Sequence, residues 1–444
     1  MKLSSTAKII VLFLGDVATL YASLLIALAL RYGGRFFQEF TESHALPFSL
    51  VFAIWILVFY IAGLYDLLRL RNNIDFIKTL LLALLINTLL AIAVFYLVPL
   101  FGITPKTNLF LVIALFAVIE VWWRRTFNVR ASFRDGLNSV LLLGDDETTA
   151  EIVAELKKNA QVGYEVKLWL KRGLDEATPE RLDALVKKHH INLAVFPTHA
   201  KHYDTHAKTF YELLASGIQV LDLSSFYELV FRKIPLRETD EAWFLENHIG
   251  QGKFYDDLKR GMEVISAVFL SIVLSPLLIV IAILVRITSR GPSIYRQARI
   301  GEQEKPFTLF KFRTMKADAE RGGAQWAQPN DARSTPIGRF LRYAHLDELP
   351  QLANILKGDL SFVGPRPERP EFVTLLEEKV PHYKIRHLVR PGITGWAQIN
   401  YRYGASVEDA EEKLQYDIYY LKNRSLILDV AIILKTIKSF FVQA

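Results

Sequence analysis

An apolar run broken by proline near its centre sets the strongest constraint on this chain. Asp256-Asp257-Leu258-Lys259-Arg260 leads into residues 262–285, which are almost uninterrupted in apolar character, with Ser275-Pro276 inside the run. A run of about 24 apolar residues is long enough to cross a bilayer. Proline removes one helical hydrogen bond and disfavours helix at the residue before it, so this element must bend near its centre. Lys259 and Arg260 stand before the run, Arg286 and Arg290 after it. Basic residues at both ends suit a hairpin that enters and leaves by one membrane face better than a straight span. A transmembrane helix with a proline kink is the competing reading, and the preceding chain decides between the two.

Four apolar stretches come first, at residues 9–30, 47–65, 80–101 and 108–123, each near the roughly 20 residues that span hydrocarbon. Tyr32, Tyr65, Trp122 and Trp123 mark their ends. Lys2 and Lys8 precede the first stretch, Arg69, Arg71 and Lys78 separate the second from the third, and Arg124, Arg125 and Arg130 follow the fourth. The positive-inside rule then places both ends of a four-helix unit in the cytoplasm, with Arg31 and Arg35 counting weakly against it. Asp16, inside the first stretch, reads as a snorkelling or helix-packing acid near the cytoplasmic edge, with a functional intramembrane acid as the alternative. A fifth full crossing would put the C-terminal third outside. A re-entrant hairpin at 262–285, broken at Ser275-Pro276, keeps it in the cytoplasm.

Composition supports a membrane protein. The chain has 444 residues, 51% of them hydrophobic and only 22% charged. Cysteine is absent, which excludes disulfides, cysteine-ligated zinc and a cysteine nucleophile. The net charge of +7 lies beside apolar runs and in the C-terminal third, without a long basic tract. That points to membrane lipid and phosphate rather than nucleic acid. The apolar run after Lys8 is too long for a cleaved signal peptide and lacks a small-residue cleavage site.

Residues 136–225 change character. Strand-like runs at 139–143, 165–170, 192–196 and 219–223 alternate with helical stretches at 148–159, 179–189 and 208–216, the pattern of a Rossmann-like parallel sheet. Dinucleotide binding needs glycines at the first turn. Here the turn is Gly144-Asp145-Asp146-Glu147-Thr148, one glycine and three acids that would repel phosphate. A scaffolding or regulatory, non-catalytic role is the expectation. Residues 226–255 read as a connector.

From Tyr295 onward the chain is dense in Arg, Lys, Gly and Pro. Asp347 and Glu348 are adjacent, so on a helix they point about 100° apart and cannot share one atom symmetrically. They can divide labour, one attacking phosphorus and the other holding a divalent cation. They can equally serve as the acidic start of a helix near Pro350. Arg313, Arg339, Arg342, Arg366, Arg369, Arg386 and Arg390 could give forked donors to a pyrophosphate, though each alone could be a surface charge. Prolines on both sides of Arg366 fix its backbone, as a preorganised anion site requires. Trp396 is available for stacking or for the membrane interface. His345, His382 and His387 lack metal-ligand companions at useful spacing and read as structural. Residues 425–442 suit an interfacial amphipathic helix.

These residues together resemble the bacterial sugar transferase family, the monotopic phosphoglycosyl transferases. The resemblance is carried by Lys259-Arg260 before the Ser-Pro-broken helix, Lys311-Phe312-Arg313-Thr314-Met315, Leu346-Asp347-Glu348-Leu349-Pro350-Gln351, Val363-Gly364-Pro365-Arg366-Pro367 and Pro391-Gly392-Ile393-Thr394-Gly395-Trp396. It covers residues 256–444; the four spans and Rossmann-like domain resemble, in architecture only, the long subfamily that starts exopolysaccharide, capsule or O-antigen synthesis. Gly261-Met262-Glu263 departs from an aromatic-Asp pair common in the family.

The resemblance implies an enzyme of the bacterial inner membrane, multi-pass, with its catalytic domain facing the cytoplasm. It would transfer a hexose-1-phosphate from a UDP-sugar to undecaprenyl phosphate and release UMP. Asp347 would be the nucleophile of a covalent sugar-phosphoryl intermediate and Glu348 the magnesium ligand. Lys311, Arg313, Arg339, Arg342, Arg366 and Arg390 would bind phosphate or substrate, while Ser275, Pro276, Lys259 and Arg260 shape the membrane hairpin. The expected architecture is membrane α plus α/β: a four-helix transmembrane bundle at 1–130, the Rossmann-like domain at 136–225, the connector at 226–255 and a mostly helical catalytic domain at 256–444. A homodimer gives the Rossmann-like domain a purpose. The competing readings are a non-enzymatic membrane scaffold and an NAD-dependent nucleotide-sugar dehydratase, the latter disfavoured by the missing glycine-rich loop.

Overall fold

The computed structural model describes residues 5–65, 74–97, 106–131, 137–159, 162–171, 179–198, 204–247, 249, 252–288, 291–315, 333–401 and 406–442. Lys2, Arg69, Arg71 and Arg290, and residues 98–101 at the end of the third apolar run, lie outside the described residues. The chain divides into two compact units, Met1–Phe226 and Tyr227–Ala444.

The first unit begins with apolar helices Ser5–Tyr32, Ala45–Ala62, Ile74–Leu97 and Lys106–Ala131. Three continuous helical stretches, Ala7–Ala62, Phe76–Phe95 and Thr107–Val129, are long and apolar enough to cross a membrane. The first of these doubles back. Tyr21 and Ser49 would stand about 42 Å apart along one straight helix, yet their hydroxyls meet at 2.7 Å. Leu24, Phe48, Trp55, Phe59 and Phe116 fill the core between the helices.

These helices are turned inside out relative to a water-soluble protein. Leu30, Val118 and Trp122 are at least two-thirds exposed, whereas Asp16, Glu120 and Arg124 are wholly buried. Asp16 pairs with Arg124 and accepts hydrogen bonds from Tyr65 Oη at 2.6 Å and Trp123 Nε1 at 3.1 Å. Arg124 also donates to Glu120 at 2.8 Å and to the Leu64 carbonyl at 2.5 Å. Of the two roles expected for Asp16 in holding the fold, this is helix packing rather than snorkelling. Arg124 belongs to this buried network and is not a loop charge after the fourth helix. Buried charges of this kind persist only when paired and hydrogen-bonded.

The sheet follows as strands β1 (Asn138–Leu143), β2 (Tyr164–Leu170), β3 (Leu193–Phe196) and β4 (Gln219–Asp222), all parallel, in the order β2-β1-β3-β4. Parallel pairing demands crossovers, and helices Glu147–Lys158, Pro179–His189 and Asp204–Ala215 supply them. β3 is buried along its length, as a strand covered on both faces must be. Asp146 caps the first of these helices, its Oδ1 accepting from the Thr149 amide at 2.6 Å. That carboxylate takes an amide donor at the helix start, where a pyrophosphate would bind.

The second unit contains helices Lys253–Val273 and Ser275–Thr288, bent by 63° where Leu274 separates them. The Ser-Pro pair explains the bend chemically. The Ile272 carbonyl would receive the amide of residue 276, which proline lacks; the Ser275 hydroxyl donates to that carbonyl instead, at 2.8 Å. Phe254, Ile265, Ile272 and Ile287 project outward along the pair.

Strands β5 (Ile294–Ile300) and β6 (Pro306–Phe312) form an antiparallel hairpin. Short strands β7 (Ser361–Val363) and β8 (Gly392–Thr394) pair in parallel. Their close approach needs glycine: a Cβ on Gly392 would lie 2.1 Å from the Gly364 nitrogen. Helices Pro370–Lys379 and Val407–Asn423 complete a core to which Ile234, Trp243 and Phe244 also belong.

Candidate active site

The acidic pair sits on a 3-10 turn, Leu346–Gln351, entered through His345 in the left-handed conformation at φ 53°. On such a turn adjacent side chains point about 120° apart, so Asp347 and Glu348 face different surroundings. Lys311, on β6, donates from Nζ to Glu348 Oε1 at 2.7 Å, and Arg366 Nη2 donates to the same oxygen at 2.9 Å. Asp347 is buried, and among the described residues nothing hydrogen-bonds its carboxylate.

The two acids are thereby driven apart. Burial and the Glu348 charge push the Asp347 carboxyl above its ordinary value, against the opposing pull of Lys311, Arg342 and His345. Burial would raise Glu348 as well. The charges and hydrogen bonds of Lys311 and Arg366 outweigh it and hold Glu348 well below the usual carboxylate range. Neighbouring carboxylates tuned in opposite senses are the mark of divided roles. Both cations bind Oε1, and no described residue hydrogen-bonds Glu348 Oε2. That oxygen suits a hard divalent cation such as magnesium, which binds through one or two carboxylates.

Arg366 is held from behind. The Pro365 carbonyl accepts from the Gly392 amide, that of Arg366 from Arg386 Nη2 and that of Pro367 from Arg299 Nη1, each at 2.9 Å. Arg386 in turn pairs with Asp417 at 2.9 Å and is buried. It positions Arg366 and is not an open phosphate donor. Asp417 does not stand out in sequence, because its partner Arg386 lies 31 positions away in a chain rich in arginine.

The other expected donors divide. Arg342 donates from Nε to Thr314 Oγ1 at 2.9 Å and lies near enough to pull on Asp347. Arg313 points away, donating to the Gly291 carbonyl at 3.2 Å beyond the bent helices. Arg390 faces Glu302 at 3.4 Å, and Arg339 is exposed with no ion pair among the described residues. The structure therefore brings Lys311, Arg342 and Arg366 to the acidic pair, and leaves Arg313, Arg339 and Arg390 outside it.

The base of the bent helices is tied to the site. Lys259 Nζ donates to the Val363 carbonyl at 2.7 Å and to Tyr420 Oη at 2.8 Å, and lies 3.1 Å from Asp429. Arg260 donates to the carbonyls of Ile355 and Leu356 at 2.5 and 3.1 Å. Glu263, where the chain departs from the family pattern, is buried; it accepts from the Ser361 hydroxyl and from the Phe362 amide at 3.0 Å. Trp396 is a core residue, stacked on Tyr419 and donating to the Arg232 carbonyl at 2.8 Å. It is closed to stacking on a base or meeting the membrane interface.

Residues 254–443 match the bacterial sugar transferase family. The chain is 44% identical over 197 residues to a UDP-N-acetylgalactosamine-undecaprenyl-phosphate N-acetylgalactosaminephosphotransferase of Aeromonas hydrophila, covering 44% of this chain and 47% of the relative. It is 40% identical over 188 residues to a UDP-glucose:undecaprenyl-phosphate glucose-1-phosphate transferase of Escherichia coli (strain K12), covering 42% of this chain and 40% of the relative. A sugar transferase of Bacillus subtilis (strain 168), itself uncharacterised, is 42% identical over 186 residues, 42% of this chain and 88% of the relative. The chain thus spans less than half the length of the first two relatives.

Proposed function

The chain belongs to the bacterial sugar transferase family, and on that premise we propose that it transfers a sugar-1-phosphate from a UDP-sugar to undecaprenyl phosphate with release of UMP. The observation that carries this reading is the opposite tuning of Asp347 and Glu348 around Lys311 and Arg366. A carboxylate oxygen of Asp347 attacks the phosphorus that bears the sugar, and the bond from that phosphorus to the UMP oxygen breaks. A phosphate oxygen of undecaprenyl phosphate then attacks the same phosphorus, the bond to Asp347 breaks, and the carboxylate is regenerated. Lys311 and Arg366 meet the negative charge on the transferred group, and the clamped backbone of Arg366 holds its fork ready. Glu348 would hold magnesium, which supplies charge neutralisation on the phosphates.

The protein is membrane-associated. In this reading the four apolar helices cross the bilayer, and the bent pair enters and leaves by the cytoplasmic face, presenting lipid to a site that also receives a water-soluble nucleotide. Outward-facing apolar residues and the Ser275-Pro276 break support that arrangement. The exposed residues Ile427 and Val430 on helix Leu426–Val442 suit an interfacial position beside it. The reaction would be the first membrane step of exopolysaccharide, capsule or O-antigen synthesis, carried out by a homodimer of the inner membrane.

The test is UMP release with magnesium and undecaprenyl phosphate from a panel including UDP-glucose and UDP-N-acetylgalactosamine. The wild type should release UMP from at least one of them, and trapping should recover a sugar-phosphate on Asp347. If no UDP-sugar reacts, the transferase reading is wrong.

A further inference from the structure

We propose that Glu304, Glu377 and His387 form a transition-metal site, best suited to zinc, apart from the Asp347–Glu348 centre. Each of the three offers one ligand atom, and these atoms all lie within 4.8 Å of one another. They come from separate pieces of chain: Glu304 from the turn between β5 and β6, Glu377 from helix Pro370–Lys379 and His387 from the 3-10 segment Tyr383–Leu388.

His387 distinguishes this group from an ordinary acidic patch. Its side chain is more than nine-tenths buried, and its Nδ1 has no hydrogen-bond partner among the described residues. A buried nitrogen left without a partner loses its hydration without compensation, a loss that a metal bond would repay.

An imidazole with two carboxylates suits zinc, which leaves a fourth position for water. Calcium and magnesium prefer all-oxygen sets. Ligand atoms around tetrahedral zinc stand roughly 3.3–3.6 Å apart, so the three side chains need to draw together by no more than about 1.5 Å to close the set.

Lys384 now lies between the carboxylates, 3.6 Å from Glu304 and 3.7 Å from Glu377. It is 64% exposed, and both contacts are longer than a hydrogen bond. Exposed pairs of this kind contribute little, so zinc can displace the ammonium. A bound ion would pin the β5–β6 turn to the segment whose Arg386 holds the Arg366 carbonyl. The site is thus placed to stiffen the phosphate-binding loop from behind.

The test is calorimetric titration of zinc chloride into full-length protein in detergent, first stripped with EDTA. The wild type should bind one zinc per chain with a Kd of about 10 µM or tighter. Glu377→Gln and His387→Gln should each weaken binding roughly tenfold or more. Lys384→Met should tighten it, and Glu348→Gln should leave it unchanged. Glu377 is the deciding position, because replacing buried His387 can also disturb the fold. The proposal is overturned if the wild type binds no zinc below about 100 µM, if Glu377→Gln binds as the wild type does, or if Glu348→Gln abolishes binding. The transferase reading stands or falls separately, on UMP release.

Discussion

Lys311 Nζ lies 2.7 Å from Oε1 of Glu348, and Arg366 Nη2 reaches the same oxygen at 2.9 Å. Two cations on one carboxylate oxygen fix that side chain and keep it ionised. The preceding residue, Asp347, receives neither bond, so the same turn holds one anchored carboxylate and one without a hydrogen-bond partner among the described residues.

Asp347→Asn should reduce UMP release by roughly a thousandfold or more, because the amide cannot serve as nucleophile. The same change should raise the thermal midpoint near neutral pH. Burial beside Glu348 raises the folded-state pKa of Asp347, so its ionised form is less favourable in the folded protein than in the unfolded chain. That cost applies above the folded pKa and disappears as pH falls below the unfolded value. Thermal melts of both proteins across pH should show the difference shrinking toward acid; a lower midpoint for the variant at pH 7 would contradict the assignment.

The rate profile should carry the same signature. In the proposed mechanism Asp347 acts ionised, so kcat/KM should decline as pH falls through a pKa above that of an ordinary aspartate. Glu348 is held low and remains charged across that range. Steady-state rates from pH 4 to 9 locate the acid limb, and a limb at or below the ordinary aspartate value would contradict this account.

Arg366→Lys keeps the charge and loses the planar fork. The expected loss in kcat/KM is roughly 10- to 100-fold. The clamping carbonyl bonds are made by backbone and survive the change, so the melting profile should move little. Equal losses in stability and rate would instead indicate a structural arginine.

Lys259→Met leaves the buried Asp429 carboxylate without its ammonium and removes one of the donors to the Val363 carbonyl. A destabilisation of about 3 kcal/mol is expected, read as increased proteolysis of the second unit in detergent. Wild-type resistance would mean that Lys259 faces the lipid.

Gly392→Ala should be among the most damaging small substitutions. Its Cβ would lie 2.1 Å from the Gly364 nitrogen, with backbone on both sides and no side chain to yield. A loss of about 3 kcal/mol or more is expected. Melting that matched the wild type would rule out the observed β7–β8 register.

Much of the architecture was legible because period and length speak locally. The apolar runs located the first helices, alternating strand and helix patterns gave the parallel sheet, and Ser275-Pro276 marked the bend to within one residue of Leu274. At the site, Asp347 and Glu348 and the flanked Arg366 stood out from their spacing. The arginines did not sort themselves. Arg313, Arg339 and Arg390 look in sequence much like Arg342, and only tertiary geometry separates an arginine whose charge reaches Asp347 from one that faces Glu302 or Gly291. His387 looks isolated in sequence for the same reason: Glu304 lies 83 positions upstream. Trp396 looked like an interface aromatic because its composition signal is the same in a core.

Arg260 caps helix Leu352–Lys357 by taking the Ile355 and Leu356 carbonyls, and that helix begins where the Asp347 turn ends. The bent pair is therefore a lever whose short arm ends at the Asp347 turn. If it sits in the bilayer as proposed, a thinner or thicker membrane would tilt the lever and move Asp347 relative to Lys311 and Arg366. The same polypeptide would then run at different speeds in lipids of different chain length, with mechanical fit to the membrane setting the rate.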